Sequence, residues 1–119
     1  MLTEKDYCDY DTCVALEEVG MLLETQIVRS YVKEGIQTSK IYPNRPSLYN
    51  AQKWLREEKN IIVDVFVDDD SDTPITYNIY KDGKCIVHHH ENYYSVKDWN
   101  LALLEGIKEA IKLLKEEEK

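Results

Sequence analysis

The run Ile61-Ile62-Val63-Asp64-Val65-Phe66-Val67 constrains the fold of this chain more than any other stretch. β-Branched and aromatic side chains pack well on a pleated surface and lose rotamer freedom in a helix, so the segment reads as a strand. Because it is almost continuously apolar, both of its faces are expected to be covered, which predicts a central position in a sheet. The residues after it predict a meander. Asp68-Asp69-Asp70-Ser71-Asp72-Thr73-Pro74 is a polar turn, after which Ile75, Tyr77 and Ile79 alternate with Thr76, Asn78 and Tyr80 as in a half-buried strand. Lys81-Asp82-Gly83-Lys84 then carries the Asp-Gly signal of a tight hairpin, and Cys85 to His90 return as the partner strand. Residues 61–90 are thus predicted to form three antiparallel strands.

Helices are predicted on either side of this meander. Asp9, Asp11 and Thr12 offer N-cap oxygens for a helix over about 10–19, in which Cys13, Leu16 and Val19 recur at helical spacing. Gly20 is placed to stop it, with Met21 and Leu22 expected to fold back on the last turn. A second helix starts after the N-cap Ser47, buries Leu48, Ala51, Trp54 and Leu55 along one stripe, and closes at Asn60, a residue that tolerates the left-handed conformation. A third spans about 95–116, capped by Ser95 with Asp98 at the capping-box position. Its core-facing residues are predicted to be Trp99, Leu103, Ile107, Ala110, Ile111 and Leu114. Ala102, Gly106 and Ala110 form a small-residue stripe suited to close approach, which explains a glycine that otherwise costs about 1 kcal/mol of helix propensity. Between the first two helices, residues 26–42 have β character on both sides of Gly35 and predict another hairpin, ended by the loop Pro43-Asn44-Arg45-Pro46.

Assembled, these elements predict one α+β domain over residues 1–119, in two layers. A mostly antiparallel sheet of about five strands carries three helices on one face, in the order α-β-β-α-β-β-β-α. With 43% hydrophobic and 32% charged residues, the chain has the composition of a globular domain that needs no staples.

Charge narrows the partners. Fifteen basic residues face 23 acidic ones, for a net charge of −8, and no stretch gathers more than two adjacent cations. Nucleic-acid binding relies on basic patches that neutralise phosphates, so no nucleic-acid partner is expected. Membrane-surface anchoring needs a basic polar face and a membrane span needs about 18 apolar residues in a row, so no membrane partner is expected either. Three cysteines, Cys8, Cys13 and Cys85, form no disulfide framework, and the opening residues lack a signal-peptide pattern; both point to the cytoplasm.

The motifs that carry chemistry are few. On a strand, His88 and His90 share a face and are the candidate ligands for a metal ion, but no Cys-x-x-Cys, His-Glu-x-x-His or second ligand pair accompanies them. Cys85 and His88 stand three apart, which on a regular strand directs them to opposite faces and removes them as a nucleophile–base pair. The aspartates at 68, 69, 70 and 72 lack the glycine and the distal glutamate of a helix–loop–helix calcium site, and read as a charged turn. The four glycines are too far apart for a phosphate cradle. No catalytic residue and no cofactor is therefore assigned. Nine tyrosines are more than one core of this size holds, and tyrosine is enriched at protein interfaces.

The stretch from Pro46 to Ile61, the ending from Tyr94-Ser95-Val96-Lys97-Asp98-Trp99 to Leu104-Glu105-Gly106-Ile107-Lys108-Glu109-Ala110, and the opening helix closing on Val19-Gly20-Met21 resemble a group of small proteins of unassigned function. That group is encoded in gut Bacteroidetes genomes, often in prophage or mobile-element regions. The resemblance covers about half the chain, with residues 22–45 departing most. It implies a cytoplasmic, phage-derived accessory protein and carries over no site residues.

Together these observations predict a non-enzymatic module that binds another protein or a second copy of itself, through the long helix or an edge strand. Two alternatives stand beside it: an acidic mimic of nucleic acid that occupies a host enzyme, and a small metal-dependent enzyme using His88 and His90.

Overall fold

The computed structural model describes residues 2–23, 29–33, 36–40, 45–68, 72–88 and 93–117. The chain is α+β. Its elements are α1 (Tyr10–Glu18), β1 (Arg29–Lys33), β2 (Ile36–Lys40), α2 (Leu48–Lys59), β3 (Ile61–Val67), β4 (Ile75–Lys81), β5 (Lys84–Val87) and α3 (Trp99–Glu117). Two 3-10 turns absent from the sequence reading, Glu4–Asp6 and Val96–Asp98, precede the first and last helices. No helix among the described residues is long and apolar enough to cross a membrane.

The strands do not form the single five-stranded sheet expected. Among the described residues β1 and β2 pair only with each other, antiparallel, and their expected turn at Gly35 lies outside the described residues. β3, β4 and β5 form a separate antiparallel sheet in that order. The order corrects a second expectation, because β4 is the central strand and β3 an edge. Along β4, Ile75, Thr76, Tyr77, Asn78 and Ile79 are all buried. β3 lies against it on one side and β5 on the other, and beyond β5 a two-bond bridge joins Ile75 and Tyr94 (2.9 and 2.7 Å). In β3, by contrast, Ile61 and Val63 are buried while Ile62 and Asp64 are exposed. An apolar run records how much surface a segment buries, not how many strands flank it. The aspartate at its centre marks the solvated face.

Local chemistry sets the element ends. Asp9 accepts a hydrogen bond from the Thr12 N–H (2.8 Å), and Ser47 accepts one from the Asn50 N–H (3.1 Å), each satisfying an otherwise orphaned donor of a first helical turn. Asn60 closes α2 in the left-handed region at φ 54°, and the chain enters β3 at once. Asp82 and Gly83 both take positive φ (52° and 82°), as the tight hairpin turn between β4 and β5 demands. Two expectations at helix ends fail. Leu22 is 96% exposed instead of folding back, although Met21 does pack on the core. Ser95 caps no helical N–H; its hydroxyl donates to Asp98 (2.9 Å) inside the 3-10 turn, and Trp99 is half-buried.

The core lies between the sheet and α3. Ile61, Val63, Tyr77 and Ile79 from the sheet meet Leu103, Ile107, Ala110 and Ile111 from α3, with Leu48, Ala51 and Leu55 of α2 closing one side. Each such aliphatic side chain stabilises the fold by about 1.5–3 kcal/mol relative to exposure. The small-residue stripe does permit close approach, and Gly106 sits directly over Val63 and the Tyr77 ring. α1 packs mainly against α3 instead of lying on the sheet with the other helices. Asp9–Lys108 (3.3 Å) and Glu18–Lys115 (3.2 Å) run in the same direction along both helices, so the two are parallel. The segment before α1 is tied down by Cys8 N–H to the Pro46 carbonyl (3.0 Å) and by Asn100 Nδ2 to Asp6 (2.6 Å).

Candidate interaction edge

The histidine strand is not built as its sequence implied. β5 ends at Val87, His88 is exposed just beyond it, and His90 lies outside the described residues, so the two candidate ligands cannot be placed together. Among the described residues no group of three His, Cys, Asp or Glu side chains is arranged to hold a metal ion. The expectation that Cys85 and His88 face apart is wrong. Tyr80 pairs with Cys85 and Ile79 with Val87, leaving Ile86 as an extra residue opposite no partner. That bulge shifts the alternation by one, and Cys85 Sγ comes within 3.6 Å of His88 Nδ1. Cys85 Sγ also donates to the Val87 carbonyl (3.2 Å) and is exposed.

Cys8 and Cys13 are fully buried. Burial pushes Cys8 up to about 12 and Cys13 up to about 11, so both are neutral thiols packed as small apolar groups. The native protein is expected to react with an aromatic disulfide reagent at one thiol, Cys85, and at all three once unfolded. Rapid native labelling of a second cysteine would contradict this core.

A cleft of about 400 Å³ opens between the segment around Tyr7 and the start of α3, with Arg45, Lys97, Leu101 and Leu104 on its walls. Its charges are largely committed. Arg45 pairs with Glu4, lies over the Tyr7 ring (5.4 Å) and reaches the Cys8 carbonyl (3.5 Å). The Arg45 guanidinium holds the Glu4 carboxyl below its ordinary value. Burial works to raise Asp9, but hydrogen bonds from Thr12 and the Lys108 ammonium override it and hold that carboxyl low. These groups fasten the N-terminal segment to the domain.

The outer edge of β3 differs because half of its binding capacity is unused among the described residues. In an antiparallel pair, alternate residues turn both backbone groups toward the partner strand. The continuation of the ladder fixes which these are, since Asp68 N–H donates to the Pro74 carbonyl (2.6 Å) and Asp82 N–H to the Asn60 carbonyl (3.1 Å). Residues 60, 62, 64, 66 and 68 therefore face β4, and Ile61, Val63, Val65 and Val67 turn their N–H and C=O groups outward. α2 overhangs the first half of this edge, where Gln52 Nε2 donates to the Val63 carbonyl (2.6 Å). The second half, at Val65 and Val67, meets no hydrogen-bond partner among the described residues. Val67 is 60% exposed there, and Asp64 is exposed on the face away from the helices. Such an edge is a template for an added strand. Sequence reasoning missed it by reading the segment as central; Asp64 was the available signal.

No family model matches the chain, and neither the curated proteins nor the solved structures contain a significant match to it.

Proposed function

We propose that this chain is a non-enzymatic protein-interaction module that takes up an extended polypeptide segment along the free edge of β3. The observation that carries the reading is the pair of outward-turned backbone units at Val65 and Val67, which have no hydrogen-bond partner among the described residues. Main-chain hydrogen bonds from such an edge supply affinity to an incoming strand, and side-chain pockets on alternate positions supply selectivity. The opposite edge is poorly suited to the same role, because β5 has four residues and the bulge at Ile86 interrupts its pairing.

The test uses displayed ten-residue peptides selected for binding, followed by hydrogen exchange of the complex. The amides of Val65 and Val67 are expected to gain protection. Val67→Pro, which removes an edge N–H that no neighbouring strand needs, is expected to leave the fold intact and abolish capture. Selected peptides that protect other amides, or that bind Val67→Pro unchanged, would refute the reading.

A further inference from the structure

We infer that the segment taken up at the β3 edge is basic, alternating Lys or Arg with apolar residues; this rests on the edge-strand reading above. A strand laid beside β3 places its side chains in register with those of β3, one face at a time. On the helix-facing side it meets Val65 and Val67, so alternate residues of the partner must be apolar. On the other side it meets Asp64 and Phe66 and, at the strand end, Asp68, whose carboxylate also accepts from the Tyr93 hydroxyl (3.4 Å). Asp72 is exposed, and the whole chain carries −8. Cations opposite Asp64 and Asp68 gain from direct cross-strand pairing and from the field of the surrounding carboxylates.

The same geometry argues against a second copy as the occupant. For Val65 and Val67 of two copies to exchange hydrogen bonds, the antiparallel pair must be centred on Phe66. Asp64 of one molecule then lies opposite Asp68 of the other, and two-fold symmetry repeats the clash. Like charges directly opposite are destabilising, and these two pairs work against the Val65–Val67 and Phe66–Phe66 pairs that the same register forms, whereas a basic partner keeps apolar pairing and gains at both aspartates. Gln52 on the Val63 carbonyl blocks the alternative register shifted toward the start of the strand.

The experiment compares three synthetic peptides that share alternating valines and carry Lys, Ser or Glu at the other positions. Binding is followed by the amide shifts of Val65 and Val67 at low ionic strength. The Lys peptide is expected to bind about ten-fold more tightly than the Glu peptide, the factor that two pairs of about 0.7 kcal/mol each produce. The preference should shrink as salt screens it. In the double variant Asp64→Lys and Asp68→Lys, with its fold verified by circular dichroism, the preference should invert. Equal binding of all three peptides at these amides would overturn the basic partner while leaving the edge reading standing. If no peptide moves them, the edge reading itself fails. A concentration-dependent dimer of the unmodified protein that protects these amides would assign the edge to a second copy instead.

Discussion

The protein is expected to lose stability steeply between pH 9 and 11. Cys8 and Cys13 are the cause. Both are fully buried, and burial holds their folded values at about 12 and about 11, against 9.0 for an ordinary thiol. Above pH 9 the unfolded chain sheds these protons while the folded chain keeps them. The unfolded state then binds fewer protons, so unfolding free energy falls as pH rises. Below pH 9 both states are protonated and the contribution is fully present. Each thiol costs about 1.4 kcal/mol per pH unit in the window between the two states. Tyr77 acts in the same direction at higher pH, since burial and its hydrogen bond to Glu109 (2.7 Å) raise its phenol. Urea unfolding at half-unit intervals from pH 8 to 11 measures the slope. Cys8→Ala and Cys13→Ala each cost some packing at every pH, but each should flatten the alkaline decline. A decline unchanged in the double variant would remove the thiols from the explanation.

Gly106→Ala is expected to destabilise the protein by about 1–2 kcal/mol, although alanine is the better helix former. A Cβ at this position would stand 2.5 Å from Val63 Cγ1 and 3.3 Å from two atoms of the Tyr77 ring. Overpacking of a well-filled core typically costs 1–3 kcal/mol, and the propensity gain of about 1 kcal/mol offsets only part of it. Neither neighbour yields easily. Val63 is a branched residue on a strand anchored to α2 through its carbonyl, and Tyr77 is held at its far end by Glu109. Gly106→Leu should cost about 3 kcal/mol or more, since it adds three further carbons beyond a Cβ that already meets Val63. The specific check is a double-mutant cycle with Val63→Ala, which vacates the contested space. The pair should cost less than the sum of the single changes, because contacting sites couple by 0.5–3 kcal/mol. A more stable Gly106→Ala protein would mean that α3 stands farther from the sheet.

Elements governed by neighbouring residues were legible in the sequence. Asp9, Ser47 and Asn60 end helices where their side chains or backbone preferences dictate, and Asp82-Gly83 makes the hairpin turn its residue types announce. The alternation of Ile75, Tyr77 and Ile79 identified the helix-facing side of β4, although the strand is not half-buried as expected, since Thr76 and Asn78 are buried too; the stripe around Gly106 anticipated close packing. What failed depended on distant partners. The burial appetite of Ile61–Val67 is real, but a helix and one neighbouring strand satisfy most of it, so the strand sits at the edge. Cys85 and His88 meet because one residue opposite a distant strand is unpaired, and nothing between them in sequence encodes that insertion. The candidate edge was missed for the same reason: an edge is a property of sheet order, and Asp64 alone marked a solvated face in that run.

The bulge at Ile86 also limits assembly. A flat three-stranded sheet with two competent edges would be divalent, and divalent units link into filaments. Here one margin is short and kinked, and half of the other is covered by the overhanging helix. Within this three-stranded sheet, the second half of the β3 edge is the stretch left open among the described residues. If strand addition occurs at β3 as proposed, this sheet should take up one segment per chain and end there, instead of passing the ladder on through β5.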